Sequence, residues 1–189
     1  MKVKPNAFYA QSGGATAVIN ASACGVIETA YHRFKSKIGT VYAGRNGILG
    51  ALQEALIDTF TLPSQSIAAL RHTPGAAFGS CRYKLNDPQR QVAEYHRILS
   101  VFQAHNIRYF FYNGGGDSQD TAHKLAVWSQ QQDYPLTCIG IPKTIDNDLL
   151  LTDNCPGFGS VAKYVATAIQ EASLDVASMC SSSTQVFIL

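Results

Sequence analysis

The stretch IRYFFYNGGGDSQDTAHKLAVWSQ, residues 107–130, joins a predicted strand, a glycine turn and a predicted helix without a break. Its first seven residues are rich in aromatic and β-branched side chains, which is typical of a strand. Three glycines follow, and the residues after them predict a helix. Because a strand that runs directly into a helix is the building unit of α/β folds, this stretch predicts that class.

The same alternation extends toward the start of the chain. Residues 7–11 (AFYAQ) predict a strand, SGG at 12–14 turns the chain, and a helix is expected from about residue 15 to residue 31. Residues 39–44 (GTVYAG) predict a second strand, whereas residues 47–70 carry only weak helical signals. The first part of the chain therefore repeats the order of strand, turn and helix.

The segments on either side of the central unit continue this pattern. Residues 73–84 (TPGAAFGSCRYK) predict a loop with glycines at its bends, and residues 92–106 predict a helix. Residues 136–141 predict a strand, which a polar loop and a further helix follow, and residues 185–189 (QVFIL) form a last apolar run. The apolar stripes of the two helices are Val92, Tyr95, Leu99 and Phe102 in one, and Phe158, Val161, Val165, Ile169 and Val176 in the other.

Strands that alternate with helices need crossover connections. We therefore expect an α/β fold of three layers, with a mainly parallel sheet and helices on both of its faces. Ligands of such sheets bind at the carboxyl ends of the strands. SGG, GGGDS (residues 114–118) and PKTIDND (residues 142–148) each follow a predicted strand, so these three loops are expected to line one crevice.

The composition bounds the partners of this fold. The 189 residues are 46% apolar and 15% charged, and the charge content lies below the roughly 25% of an average domain. This low charge indicates a surface that partly meets other protein. The net charge is +2 and the basic residues form no block, which argues against nucleic-acid and membrane partners. With no signal-peptide core and no run of about 18 apolar residues, a cytoplasmic location is expected.

Several chemistries are disfavoured by the absence of their motifs. The five cysteines lie far apart without a C-x-x-C pair, and the histidines have no metal-ligand spacing, so neither a disulfide framework nor a zinc site is indicated. The P-loop pattern and the G-x-S-x-G elbow are absent. Gly157, Gly159 and Ala162 fit the loose G-x-G-x-x-A pattern, but they follow a polar loop, so a nicotinamide site is disfavoured.

The glycine loops suit an anionic ligand. Gly13 and Gly14 leave the backbone bare, so that peptide N–H groups and a helix N-terminus can approach an anion, and residues 114–116 do the same. The alternative is that these glycines only make tight turns between strand and helix. Likewise, Asp117 and Asp120 can be carboxylates that only stabilise the start of a helix, through the positive end of its dipole.

The loop PKTIDNDLL is the sharpest functional signal because charged groups crowd the end of a predicted strand. Lys143 lies three residues before Asp146, and Asp148 follows two residues later. Such a set suits magnesium-dependent phosphate chemistry, in which one carboxylate takes a proton and others hold the metal. The alternative is a solvated polar turn whose Asp and Asn side chains bond the backbone.

These motifs together resemble the phosphofructokinase family. SGG at the first turn, GSCR at residues 79–82, GGGDS, PKTIDNDL at residues 142–149 and PGFGSVA at residues 156–162 agree with that family in order and in spacing. The resemblance covers nearly the whole chain. It implies the phosphofructokinase-like α/β fold and a phosphotransferase that acts on fructose 6-phosphate.

Within the family, the chain resembles the diphosphate-dependent branch at two positions. ATP-using members have glycine where Asp117 stands, and the added bulk and negative charge would oppose the α-phosphate of a nucleotide. They also have glycine before T-I-D-N-D, where this chain has Lys143, a compact cation suited to diphosphate and to charge that develops during transfer. Inorganic diphosphate is therefore the expected donor.

The resemblance implies a role for each matching residue. Asp146 is expected to take the proton of the 1-hydroxyl of fructose 6-phosphate, and Thr144 and Asp146 to hold the sugar. Arg82 is expected to bind the transferred phosphate and Lys143 to stabilise the transition state. The diphosphate-binding residues are expected to be Gly13, Gly14 and Lys143. The reaction is expected to be reversible.

The resemblance also implies Mg²⁺ as a cofactor, and here the chain departs from the family pattern. Gly116 stands where relatives carry an aspartate that helps to hold the metal, so Asp117 and Asp148 become the expected ligands, and Asp117 is also expected to belong to the catalytic set. A second departure is Ala15, which stands where many relatives have aspartate after the two glycines.

The end of the chain sets a further expectation. Family members continue past the strand that matches QVFIL into an M-G-R segment and a sugar-binding second domain. Residues 1–189 are therefore expected to be the donor-binding and catalytic N-terminal domain, poorly active alone. A homo-oligomer is implied by the resemblance. The alternatives are a non-catalytic phosphate-binding module and an ATP-dependent 6-phosphofructokinase.

Overall fold

The computed structural model describes residues 3–183 and 186–188 of the chain. These residues fall into two compact units, which divide between Lys143 and Thr144. The first unit holds the sheet and its helices, and the second holds the loop that begins T-I-D-N-D and one long helix.

The first unit is built on a five-stranded sheet in which the order is β3-β2-β1-β4-β5. Strand β1 lies at its centre and pairs in parallel with β2 and β4, and β4 pairs in parallel with β5. Only β3 is antiparallel. The predicted mainly parallel sheet is confirmed. The strands are β1 (Asn6–Gln11), β2 (Val41–Gly44), β3 (Leu56–Asp58), β4 (Ile107–Gly114) and β5 (Thr137–Pro142).

The helices confirm the predicted alternation and correct two of its details. The first helix begins at Ile19 and not near residue 15, because residues 13–18 first form the bends and turns that follow β1. Residues 47–70 hold β3 besides short helices. The helices are α1 (Ile19–Arg33), α2 (Leu49–Leu52), α3 (Ser64–Ala69), α4 (Val92–Ala104), α5 (Gly116–Gln131) and α6 (Phe158–Met179), with 3₁₀ turns at Thr59–Thr61 and Leu70–His72.

Two apolar clusters show that helices cover both faces of the sheet, as predicted. Successive residues of β1 point to opposite faces, so Phe8 packs in the cluster with α4 and α5, whereas Tyr9 packs in the cluster with α1. Of the stripe predicted on α4, Tyr95, Leu99 and Phe102 are buried in the first cluster. Val92, the first residue of that helix, is about half exposed.

The second unit contains α6, which begins at the predicted Phe158. Of the apolar run at 185–189, residues 185 and 189 lie outside the described residues, and residues 186–188 are in no strand. Among the described residues, no helix is both long enough and apolar enough to cross a membrane.

Candidate functional site

Two of the predicted loops and the start of a third meet at one edge of the sheet in the first unit. Strands β1, β4 and β5 are parallel neighbours, so their carboxyl ends lie side by side. The Ser12 amide donates to the Asn113 carbonyl at 2.8 Å, and the Lys143 amide donates to the Gly114 carbonyl at 3.1 Å. Of the three loops predicted to line one crevice, SGG and GGGDS meet at this edge, and of PKTIDND the first unit holds only Pro142 and Lys143, which lie at the same edge.

Glycine occupies these loops for two different physical reasons. Gly13 has a φ of 75°, and a Cβ on Gly114 would lie 2.2 Å from the Ser118 hydroxyl oxygen, so these two positions need glycine for the turn itself. A Cβ on Gly115 or Gly116 would meet no described atom within 4 Å. Their backbone therefore faces open space, which leaves a ligand room to approach.

The loop that carries GSCR is joined to the end of β1. Ser12 and Cys81 form an isolated parallel bridge, and the Gly13 amide donates to the Cys81 carbonyl at 2.9 Å. The Ser80 hydroxyl donates to the Gly13 carbonyl at 2.6 Å. These bonds bring Arg82 to the first glycine loop, where its Nη2 lies 3.5 Å from the position of a Cβ on Gly14.

A buried amide network lies behind the glycine loops. The Gln11 side chain donates to the Asn20 side-chain oxygen at 3.1 Å and accepts from the Phe78 amide at 3.3 Å. Asn20 in turn accepts from the amide of Ala77 in the GSCR loop at 2.9 Å. The network therefore ties β1 and α1 to that loop. Sequence reasoning missed it, although an amide at the end of an apolar strand was a usable signal.

A second part of the network ties in β4. Asn113 donates to the Tyr9 hydroxyl at 2.8 Å and to the Ile19 carbonyl at 3.1 Å, and the Tyr9 hydroxyl donates to the same carbonyl at 3.1 Å. Burial raises the pKa of Tyr9 to about 12, against which its hydrogen bonds act only in part. The phenol therefore keeps its proton at neutral pH and remains a donor in the network.

Replacing Gln11 by leucine is expected to loosen this network. The change orphans the Phe78 amide in the interior, which costs about 1–3 kcal/mol, and it removes one of the two hydrogen bonds that the Asn20 side-chain oxygen accepts. We expect a lower Tm and a raised KM for the ligand of the glycine loops. Thermal unfolding and steady-state kinetics test this, with the exposed Gln103→Leu as control. An unchanged Tm would contradict the role of the network.

Lys143 places a positive charge against the first glycine loop. Its side chain is only 7% exposed, and its ammonium donates to the Gly14 carbonyl. The same nitrogen lies 3.3 Å from the position of a Cβ on Gly13, so a larger residue there would press on it. The end of β5 therefore delivers a held cation to the loop that the sequence predicted to bind an anion.

A cavity of about 310 Å³ opens between SGG, the loop that carries GSCR, and GGGDS in the first unit. The backbone N-terminus of α5, which favours negative charge, forms one wall through Gly115 and Gly116. Among the described residues, its charged lining consists of Arg82, Lys84 and Asp117. Sequence reasoning missed Lys84, which comes two residues after the recognised Arg82. The cavity can accept a compact anion between two cations and a helix start.

Asp117 faces solvent at this cavity and pairs with Lys84. The Lys84 ammonium lies 3.0 Å from Asp117 Oδ1, and the two side chains are 60% and 71% exposed. The hydrogen bond to Asp117 and its charge raise the pKa of Lys84, so this lysine stays charged. Asp117 also lies in the first turn of α5, where the positive end of the helix dipole stabilises a negative charge. The position therefore also fits the alternative in which this carboxylate favours the helix start.

The second unit holds the remaining predicted residues in an ordered turn. The Thr144 hydroxyl accepts from the Asp146 amide at 3.0 Å, and the Asn147 side chain accepts from the Cys155 amide at 2.8 Å. The polar-turn alternative therefore describes Asn147, whose side chain bonds the backbone, and Thr144 bonds the backbone in a similar way. Asp146 and Asp148 are exposed, so their carboxylates are open to a ligand.

The donor set for a metal is sparse. Nowhere in residues 3–183 and 186–188 do three His, Cys, Asp or Glu side chains gather as a metal cluster. Mg²⁺, however, is commonly held by one or two carboxylates together with phosphate oxygens and water. The exposed Asp117 carboxylate beside an anion-binding cavity fits a Mg²⁺ ion that arrives with a phosphate ligand.

The comparisons with known proteins point to one family. The family model described as Phosphofructokinase matches residues 6–189. The pyrophosphate–fructose 6-phosphate 1-phosphotransferase of Halomonas elongata is 65% identical over 97% of this chain, and that of Methylococcus capsulatus is 63% identical over the same share. The chain spans 44% of the length of each.

A solved structure is similar as well. The pyrophosphate-dependent phosphofructokinase of Marinobacter aquaeolei is 64% identical, with a TM-score of 0.79 over 95% of this chain and 43% of that one. The fold, the convergent glycine loops and the family match over residues 6–189 point the same way. The chain belongs to the phosphofructokinase family.

Proposed function

We propose that the protein transfers a phosphoryl group from inorganic diphosphate to the 1-hydroxyl of fructose 6-phosphate, which gives fructose 1,6-bisphosphate and phosphate. The observation that carries this proposal is the buried ammonium of Lys143 against the first glycine loop. A held cation there suits a small, highly charged donor. The names of the Halomonas and Methylococcus relatives support the same reaction.

Two features favour diphosphate over a nucleotide as the donor. Asp117 and Lys143 stand where the family resemblance places glycine in ATP-using members. The Asp117 carboxylate lines the cavity, where it would oppose an α-phosphate. The cavity of about 310 Å³ also lies at the lower end of the roughly 300–1,000 Å³ of ligand pockets, which suits a compact ligand.

The chemistry then follows from positioning and charge. The sugar 1-hydroxyl oxygen forms a bond to one phosphorus of diphosphate while the bond to the bridging oxygen breaks, and phosphate leaves. Asp146 takes the hydroxyl proton, and Thr144 helps to hold the sugar. Arg82 binds the transferred group, Gly14 contacts the donor through its backbone, and Lys143 stabilises the charge that develops.

Mg²⁺ would neutralise the charge of the diphosphate oxygens when bound. We propose Asp117 and Asp148 as the side chains that hold it together with the phosphates, and Gly13 as a further backbone contact of the donor. The free energies of hydrolysis of diphosphate and of the sugar phosphate are similar, so the reaction is reversible and serves glycolysis. We further propose a cytoplasmic homo-oligomer.

The donor preference can be tested directly on the complete protein. With fructose 6-phosphate and Mg²⁺, we expect formation of fructose 1,6-bisphosphate with diphosphate and little or none with ATP. The measurement is a coupled assay of the bisphosphate, and the reverse reaction with added phosphate serves as a second check. Turnover with ATP alone would assign the protein to the ATP-dependent branch, and turnover with neither would leave a phosphate-binding module.

A further inference from the structure

We propose that Lys84 allows diphosphate to enter the cavity by neutralising Asp117 at its mouth. The inference rests on the proposed function, because it concerns how the same cavity takes its donor. Lys84 is not among the residues that the family motifs point to. It enters the site only through the structure, as a lining residue of the cavity and as the ion-pair partner of Asp117.

The charge of Asp117 creates a difficulty for either donor. Its carboxylate lines the cavity and would repel a nucleotide phosphate, but the same charge also repels diphosphate, which carries a comparable charge on fewer atoms. A residue that excludes one donor by its charge therefore excludes the other unless its charge is offset. The Mg²⁺ ion proposed above arrives with the donor, so in the free site only a cation of the chain can offset Asp117, and it must leave the bulk of Asp117 in place.

Lys84 meets this requirement. Its ammonium lies 3.0 Å from Asp117 Oδ1. The adjacent Leu85 is fully buried, which anchors the loop that presents Lys84.

The other cations at this edge are placed differently. Arg82 lies beside Gly14, and the ammonium of Lys143 contacts the carbonyl of the same glycine. Both are therefore held at the first glycine loop, whereas Lys84 pairs with the helix that carries Asp117. Lys84 is thus a positioning residue, which acts on the donor through Asp117.

The test is a double-mutant cycle in the complete protein, with Lys84→Met, Asp117→Asn and their combination. We expect Lys84→Met to raise the KM for diphosphate about tenfold, the size expected from one uncompensated charge a few ångströms away, with kcat changed little. In the Asp117→Asn background the same change is expected to raise KM less than twofold. Lys84→Arg, which keeps the charge, is expected to keep the KM for diphosphate close to the wild-type value.

Lys124→Met is the matched control. Lys124 pairs with Asp120 on the same helix but does not line the cavity, so this variant loses an equivalent surface ion pair and is expected to keep the wild-type KM. Direct binding of diphosphate by calorimetry, without sugar, covers the case in which Asp117→Asn is too slow to assay. The dissociation constants for diphosphate are expected to change across the variants in the same pattern as the KM values.

The outcomes separate this inference from the proposed function. An equal loss from Lys84→Met in both backgrounds would mean that Lys84 contacts diphosphate directly and would overturn the neutralising role. No loss in either background would overturn it as well. If the wild-type protein uses only ATP, the proposed function itself fails, and that result comes from the wild type before any variant is made.

Discussion

Replacing Asp146 by asparagine is expected to lower kcat of the complete protein by about 10²- to 10⁴-fold, the usual contribution of a general base. The amide has the shape of the carboxylate but cannot take the proton of the sugar hydroxyl. The turn that holds this residue uses its backbone amide, which bonds the Thr144 hydroxyl and is retained in the variant. The expected loss is therefore chemical and not structural.

The measurement for Asp146 is steady-state turnover with saturating diphosphate, fructose 6-phosphate and Mg²⁺. The control is Asp153→Asn, an exposed aspartate in the same unit that undergoes the same chemical change and has no assigned role. We expect the control to keep its activity and both variants to keep the wild-type Tm. A kcat for Asp146→Asn within fivefold of wild type would show that another residue accepts the proton.

Replacing Lys143 by methionine is expected to lower kcat with diphosphate by about 10²- to 10³-fold, the usual cost of one group that stabilises developing charge. The variant keeps the length and apolar stem of the side chain and removes its charge at the first glycine loop. It also removes the hydrogen bond to the Gly14 carbonyl, so a loss of about 1–3 kcal/mol in stability is expected as well.

The two effects of Lys143→Met are separated by measuring activity per folded molecule. Thermal unfolding gives the folded fraction at the assay temperature, and kcat is then compared at equal folded concentration. We expect Lys143→Arg to recover the stability only in part and the rate poorly, because a planar guanidinium does not fit the buried place of a compact ammonium. A normal kcat at equal folded concentration would reduce Lys143 to a structural role.

Local patterns predicted most of the sheet and its large helices. Strand β4 and helix α5 carry their own signal, since aromatic and β-branched residues, then glycines, then a helical sequence follow one another in one short stretch. Strand β3 was missed because its three half-buried residues at the sheet edge owe their conformation to pairing with β2. This pairing depends on another segment of the chain, so no pattern within β3 alone predicts it.

The candidate site divides in the same way. Gly13, Arg82 and Lys143 were predicted because each lies in a dense motif, and the first unit brings them together. Lys84 and Gln11 were not predicted, because their roles depend on partners far along the chain. Lys84 is an ordinary loop lysine until the structure places Asp117 beside it.

The position of β1 at the centre of the sheet has a consequence for how the chain is made. Ala7 pairs with Val41 on one side and with Tyr109 on the other, so the second partner follows about a hundred residues later. At a synthesis rate of about 5–20 residues per second, roughly 5–20 s pass on the ribosome before β4 emerges. During that time the edge of β1 that later pairs with β4 stays open in the nascent chain. The glycine loops later meet at the carboxyl end of that edge.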